Sequence, residues 1–164
     1  MSEVMKQDAF DNEDTQKDKY LTFVIENESY GIEIQHVTEI IGIQSVTEVP
    51  DLPDFIRGLI NLRGKIIPVM DVRTRFKKEF MEYNDRTCIV VIEIEEISIG
   101  LIVDTVSEVL NIENENVVLP PDYKTGFSNK YIKAIGKVEE NIKMILDCKK
   151  LLNENELEEM MNAS

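Results

Sequence analysis

From Tyr20 onward the chain alternates. Leu21, Phe23 and Ile25 are separated by polar or opposite-face residues, which predicts a strand. Asn27-Glu28 supplies a turn, and Tyr30-Gly31-Ile32-Glu33-Ile34 is the returning strand. Ile34, Val37 and Ile41 then fall at i, i+3 and i+7, which predicts a short helical turn before another extended piece over 40–49. Val49-Pro50-Asp51-Leu52-Pro53-Asp54 reads as a turn-rich loop. Beyond it, two short apolar runs, Leu59-Ile60 with Leu62 and Ile66-Ile67 with Val69-Met70, flank Arg63-Gly64-Lys65. Glycine reaches φ > 0 freely, so Arg63-Gly64 reads as the turn of a hairpin that mounts one guanidinium at a strand end. Pro68 has no N–H to give a ladder, so its strand is expected to carry an edge or a bulge there.

The pattern repeats. Tyr30–Ile43 aligns with Ile99–Ile112 without gaps at an offset of 69: Gly31 meets Gly100, Val37 meets Val106, Thr38 meets Ser107 and Glu39 meets Glu108. Phe55–Asp71 aligns with Tyr131–Asp147 at an offset of 76: Ile56 meets Ile132, Arg57 meets Lys133, Val69-Met70 meets Ile145-Leu146 and Asp71 meets Asp147. The extra residues fall in the loop 120–130. Two copies of a unit of about five short strands are too small for a wide sandwich, and closure into a barrel removes exposed edges. The expected fold is therefore mainly β: two small antiparallel barrels side by side, with short helices. The expected division is a disordered polar tail over 1–18, a first barrel over 19–82, a second over 83–148 and a C-terminal helix over 149–164. In that helix Leu157, Met160 and Met161 lie at i, i+3 and i+4, an amphipathic stripe suited to sealing one barrel or the groove between them.

What both copies keep points to architecture, so Gly31, Gly100, Asp71 and Asp147 are expected to be structural. What they do not share points to function. The first hairpin has Asn61-Leu62-Arg63-Gly64 where its counterpart has Lys137-Val138-Glu139-Glu140, so a barrel of this kind does not need the arginine turn.

Charge narrows the partners. The net charge of −14 over 164 residues argues against nucleic acid. Yet 57–78 holds Arg57, Arg63, Lys65, Arg73, Arg75, Lys77 and Lys78 against Asp71 alone, a basic strip suited to steering an acidic partner. There is no basic-then-apolar leader pattern and no apolar run long enough to span a membrane. Cys88 and Cys148 are then expected to be reduced thiols of a cytosolic protein. A single histidine and no CxxC leave no zinc set, and neither a nucleophile–base pair nor a phosphate-binding glycine loop is present. No metal or other cofactor is expected.

Phe55-Ile56-Arg57-Gly58-Leu59-Ile60-Asn61-Leu62-Arg63-Gly64-Lys65-Ile66-Ile67-Pro68-Val69-Met70-Asp71-Val72-Arg73 resembles the hallmark segment of the CheW-like chemotaxis coupling proteins. Tyr30–Ile34 with Val37-Thr38-Glu39-Ile40, and Gly100–Asp104 with Val106–Leu110, resemble the family's other signatures, so the likeness covers about 19–153. The resemblance implies two SH3-like five-stranded barrels and no catalysis. It implies a cytoplasmic adaptor at membrane-bound receptor arrays, which links the cytoplasmic tip of a chemoreceptor (a methyl-accepting chemotaxis protein) to the regulatory domain of the histidine kinase CheA. By motif match, Asn61, Arg63 and Gly64 fall in the receptor-facing segment, Val106 and Val109 line the other wall of the groove, and Val37 and Glu39 fall where receptor or kinase contacts are made. The competing reading is a small-ligand or nucleic-acid-binding double β-barrel, which would present stacking aromatics on a basic face; tryptophan is absent and the basic strip holds a single aromatic, Phe76.

Overall fold

The computed structural model describes residues 16–120 and 130–152. Its strands are β1 (Lys19–Ile25), β2 (Glu28–Glu33), β3 (Val37–Gly42), β4 (Ile56–Leu62), β5 (Lys65–Asp71), β6 (Cys88–Ile94), β7 (Ile97–Val103), β8 (Thr105–Asn111), β9 (Val117–Val118), β10 (Ile132–Val138) and β11 (Asn141–Leu146). A one-turn helix, Val72–Arg75, follows β5, and the helix Cys148–Leu152 follows β11. The helical turn expected around Ile34, Val37 and Ile41 is confined to the 3-10 turn Ile34–His36, because Val37 already begins β3. Of the tail expected over 1–18, Gln16–Asp18 form a turn leading into β1 and the rest lies outside the described residues, as does the stripe Leu157, Met160 and Met161.

Two sheets account for all the strands. One runs β3-β6-β7-β5-β4 and uses the middle of the chain; it is called the central barrel below. The other runs β8-β1-β2-β11-β10-β9 and gathers both ends of the chain into a terminal barrel. The chain itself closes each. Thr47, running on from β3, bridges to Leu59 of β4, and β9, running on from β8, pairs with β10. The expected cut between 82 and 83 does not divide the sheets. Each hairpin made by the first two strands of one repeat is inserted among the last three strands of the other: β1–β2 between β8 and β11, β6–β7 between β3 and β5. The physical reason is that matched repeats present matched strand edges. Local alternation is satisfied equally by a strand's own copy and by its sister, and the exchange joins both copies around one shared core.

The exchange preserves the alignment residue by residue. β2 runs parallel to β11 with Ile145 opposite Gly31, and β5 runs parallel to β7 with Val69 opposite Gly100. Thr38 and Ser107 are the extra residues of matching bulges, and so are Arg57 and Lys133. A Cβ on Gly100 would lie 2.7 Å from Ile89 Cγ2 and 2.9 Å from Val69 Cγ1, so the glycine is needed for the parallel strand to approach; at Gly31 the nearest atom is Ile145 Cδ1, at 3.2 Å. Asp71 accepts the N–H of Thr74 at 3.3 Å and Asp147 that of Lys150 at 3.1 Å, capping the two short helices. These four residues are structural, as expected. At Pro68, β5 is flanked by β4 alone, since pairing with β7 begins at Val69, so the missing N–H breaks no ladder bond.

Alternation gives each sheet two apolar faces. Leu21, Phe23 and Ile25 of β1 join Val90, Ile92 and Ile94 of β6, Leu101, Val103 and Leu146 in a core between the barrels. Ile60, Ile67, Val69, Ile89, Val91 and Ile102 fill the central barrel, and Ile112, Ala134 and Ile145 fill the terminal one. Each large side chain so buried stabilises the fold by about 1.5–3 kcal/mol.

Candidate functional site

Arg63 and Gly64 form the β4–β5 turn with φ of 51° and 87°, the two positive values that a tight hairpin turn requires. Asn61 Oδ1 accepts the Gly64 N–H at 2.8 Å and holds the turn from the strand side. The Gln44 side chain reaches the Asn61 carbonyl at 3.5 Å. The turn thus presents a guanidinium that is 72% exposed on a backbone with little freedom. Its partner is Glu39 on β3, whose carboxylate accepts from Arg63 Nη2. The ion pair crosses the seam between β3 and β4, the two ends of the central sheet, below which Thr47 closes the barrel. Four of the residues expected at the site, Glu39, Asn61, Arg63 and Gly64, are therefore one cluster on one barrel.

The valines are placed differently. Val37 and Val106 flank the matching bulges of β3 and β8 and are half-buried against the shared core, so they support a surface more than they form one. Val109, on β8 of the terminal barrel, is 50% exposed, and its counterpart Ile40 is 44% exposed. Sequence reasoning missed Ile40, Ile66 and Gln44. Ile66 is 58% exposed two residues past Gly64. Within Ile66-Ile67 the pattern does not say which residue faces inward, and only the register Asn61–Ile66 against Ile60–Ile67 settles it.

The sister tip differs where expected. Glu139 has φ of 57°, close to that of Arg63, so the turn conformation survives without arginine. Beside it Val118, Ile135 and Ile142 floor an open hollow of about 320 Å³ rimmed by Lys137, Glu139 and Glu140.

The basic strip does not form. Arg75 is buried, with its guanidinium 4.0 Å from the centre of the Phe55 ring and 5.0 Å from that of Tyr131, and its Nε donates to the Leu151 carbonyl at 3.0 Å. Arg73 makes two hydrogen bonds to Asp104, at 2.8 and 2.7 Å, and Asp104 also accepts the Glu26 N–H at 2.9 Å. Burial works against ionised Asp104, but the Arg73 guanidinium and the Glu26 N–H outweigh it and hold its pKa below the usual carboxylate value. Lys78 pairs with Glu26 at 3.1 Å, and Arg57 lies 4.5 Å from the Phe80 ring centre. Most of these cations are used within the molecule, because the chain after β5 must be tied to its exchanged neighbours.

Cys88 and Cys148 are both free thiols, and burial pushes the Cys148 thiol up to about 12. His36 lies at the crossover from β2 to β3, and its pKa is lowered chiefly by burial, with Lys149 adding to the shift and Asp147 opposing it. Among the described residues no group of three or more histidine, cysteine or acidic side chains is placed to hold a metal ion, and no helix is long and apolar enough to cross a membrane.

Comparison with known proteins agrees with this plan. The family model described as CheW-like domain matches residues 19–156. The chain is 34% identical over 139 residues to the chemotaxis protein CheW of Klebsiella aerogenes, covering 85% of this chain and 84% of that one. It is 32% identical over 146 residues to the chemotaxis protein CheW of Treponema pallidum, covering 87% and 86%. The crystal structure of the scaffolding protein TtCheW from Thermoanaerobacter tengcongensis superposes with a TM-score of 0.77 at 34% identity, covering 83% of this chain and 92% of that one. An interleaved double barrel, the arginine turn of the hallmark segment and likeness along most of the chain lead to one assignment: the chain belongs to the CheW-like domain family of chemotaxis scaffold proteins.

Proposed function

We propose that this chain is a non-enzymatic adaptor that couples the cytoplasmic tip of a transmembrane chemoreceptor to the regulatory domain of the histidine kinase CheA, in the cytoplasm beside membrane-bound receptor arrays. The observation that carries the reading is the Arg63 turn. It is a rigidly held, exposed cation with a carboxylate partner in reach, at a tip where the two repeats differ in chemistry. Closed barrels leave few free backbone edges, so recognition falls to side chains at tips and seams. Asn61, Arg63 and Gly64 are assigned to the receptor, with Val106 and Val109 on the second wall. Glu39 and Val37 are assigned to receptor or kinase. A helical receptor tip suits such a surface: its apolar face meets Ile66 and its carboxylates meet Arg63. No cofactor and no nucleic acid enter the scheme.

The test is reconstitution from purified parts. The chain, a soluble receptor tip and the kinase regulatory domain are mixed pairwise and together, and complexes are resolved by size. Two binary complexes and a ternary one are expected. Mutual exclusion of the two partners would overturn the coupling role, and binding of neither would remove the adaptor reading altogether.

A further inference from the structure

The Arg63 turn and the β8 wall belong to different barrels, and one stretch of chain ties them together. β5 runs from the Arg63-Gly64 turn to Asp71, and the one-turn helix Val72–Arg75 follows it directly. Two arginines of that helix reach across to the terminal barrel. Arg75 lies against the Phe55 and Tyr131 rings and donates to the Leu151 carbonyl, which fixes the helix in place. Arg73 donates twice to Asp104, which stands in the crossover from β7 of the central barrel to β8 of the terminal one. The same carboxylate accepts the Glu26 N–H of the β1–β2 turn, and the Asp104 N–H donates to the Val24 carbonyl of β1 at 3.2 Å. Asp104 is thus held by both barrels at the point from which β8 departs, two residues before Val106 and five before Val109. The other crossover is built differently. At its matching positions Gln35 bonds to Glu33 at the end of its own strand, Lys149 pairs with exposed Glu95, and Leu151 stands where the first helix has Arg75.

We propose that Arg73 and Asp104 are positioning residues for receptor binding: the latch between them sets the angle between the β8 wall and the Arg63 tip, so that one receptor tip meets both. The role rests on the receptor contact proposed above and gives the latch a task besides stability. A helix that touches two walls gains the full second contact only when that wall is already in place; otherwise the cost of ordering it is subtracted from binding. The two-bond fork of a guanidinium on a carboxylate fixes orientation as well as distance, which an ammonium at the same position does not. Both side chains are turned to each other and mostly withdrawn from solvent, so they act through β8 and not by touching the receptor. β5 is the rigid link in this device, with the first contact at one end and the latch at the other.

The test compares the parent chain with Arg73→Lys, which gives the latch the residue type of the sister helix, and with Asp104→Asn, each at a temperature where it is fully folded. Amide residual dipolar couplings from the strands report the relative orientation of the barrels, and titration calorimetry reports binding to a soluble receptor tip. In both variants the terminal barrel is expected to turn against the central one, and receptor-tip binding is expected to weaken about tenfold. Val109→Ala is expected to cost less binding in the Arg73→Lys background than in the parent, because a displaced wall has less contact to lose. Weaker binding with the barrels unmoved overturns the proposal, since the latch residues would then act in some other way. Reorientation with full binding overturns it, as do unchanged couplings with unchanged binding, and as does an equal cost of Val109→Ala in the two backgrounds. If Asp104→Asn does not fold, Arg73→Lys decides alone. Failure of the parent itself to bind the receptor tip removes the receptor contact and this role with it, whereas a parent that binds beside any of the contrary outcomes removes the positioning role alone.

Discussion

The two barrels share a strand plan and differ in what fills them. The central barrel holds Ile60, Ile67, Ile89, Val91 and Ile102. The matching positions of the terminal barrel are Gly136, Lys143, Tyr20, Thr22 and Glu33. The polar replacements have partners: Thr22 Oγ1 donates to the Glu108 carbonyl at 2.7 Å, Lys143 Nζ to Ser29 Oγ at 3.0 Å, and Lys133 Nζ to the Glu33 carboxylate. Features that set the backbone are common to both, namely the glycine opposite the parallel strand, the capping aspartate and the paired bulges. The contrast separates two kinds of constraint. Strand approach and chain reversal admit few residues, whereas a barrel interior admits any set that is packed or hydrogen-bonded. The barrel with the better apolar filling also carries the arginine turn.

The largest test of this contrast exchanges the fillings. Ile102→Glu puts a carboxylate without a partner at a position 3% exposed, and the loss of stability is expected to reach about 4 kcal/mol or more. The reverse change, Glu33→Ile, removes an accessible ion pair beside an open cleft and is expected to stay within about 1 kcal/mol. Denaturant unfolding of both variants measures the difference. Similar losses would show that the terminal interior is as tightly specified as the central one.

Next in size is the latch between the barrels. Arg73 and Asp104 bond twice, with side chains 14% and 16% exposed. The matching positions hold Lys149 and Gln35, and Lys149 pairs instead with exposed Glu95. Asp104→Asn is expected to cost about 2–4 kcal/mol, and Lys149→Ala little. The sign with pH follows from the lowered pKa of Asp104. In acid the unfolded chain takes up the proton first, so the contribution of the latch is full above the ordinary carboxylate value and fades as pH falls through the lower, folded value. Thermal unfolding from neutral pH down to about 3 is expected to fall less steeply in Asp104→Asn than in the parent. Equal slopes would show that the latch does not set acid sensitivity.

A smaller effect separates the two glycines. Gly100→Ala meets Ile89 and Val69 near their branch points, and is expected to cost about 1–3 kcal/mol. Gly31→Ala meets only the far end of Ile145, which can turn aside, and is expected to cost less than about 1 kcal/mol. Reversal of that order would mean that these close approaches do not set the cost of the added methyl group.

Much of this plan is legible in the amino-acid sequence. The gap-free alignment of Tyr30–Ile43 with Ile99–Ile112 puts the bulges at Thr38 and Ser107 in register, because a bulge shifts the alternation and leaves a trace. The exchange of hairpins leaves no trace, since matched strands satisfy the same pattern in either pairing. Charge misleads for a related reason. Arg73 and Arg75 belong to a basic run in the sequence, but their partners, Asp104, Phe55, Tyr131 and the Leu151 carbonyl, come from distant parts of the chain. The Arg63 turn is legible because turn chemistry is local. Its pairing with Glu39 is not, since the pair forms across a seam between the two ends of the sheet.

The smallest effect on stability belongs to Arg63, and it bears most on function. The guanidinium is exposed, its partner among the described residues is the partly exposed Glu39 carboxylate, and Glu139 occupies the same turn position in the sister barrel. Arg63→Ala is therefore expected to change unfolding by only about 0–1 kcal/mol. If the proposed receptor contact desolvates the guanidinium, the same change weakens receptor-tip binding by about 2–5 kcal/mol and leaves the kinase regulatory domain bound. Glu139→Ala at the other tip is expected to alter neither stability nor receptor binding. A charge exchange, Arg63→Glu with Glu39→Arg, then separates two roles for the pair. If the salt bridge acts only by stiffening the turn, the exchanged pair restores receptor binding. If Arg63 itself meets the receptor, the exchange keeps the fold and binding stays lost, which is the expected outcome. Titration calorimetry of the four proteins against the receptor tip, beside their unfolding curves, distinguishes these cases. Full binding by Arg63→Ala would remove the turn from the receptor surface and leave Glu39, Ile66 and the β8 wall to account for recognition.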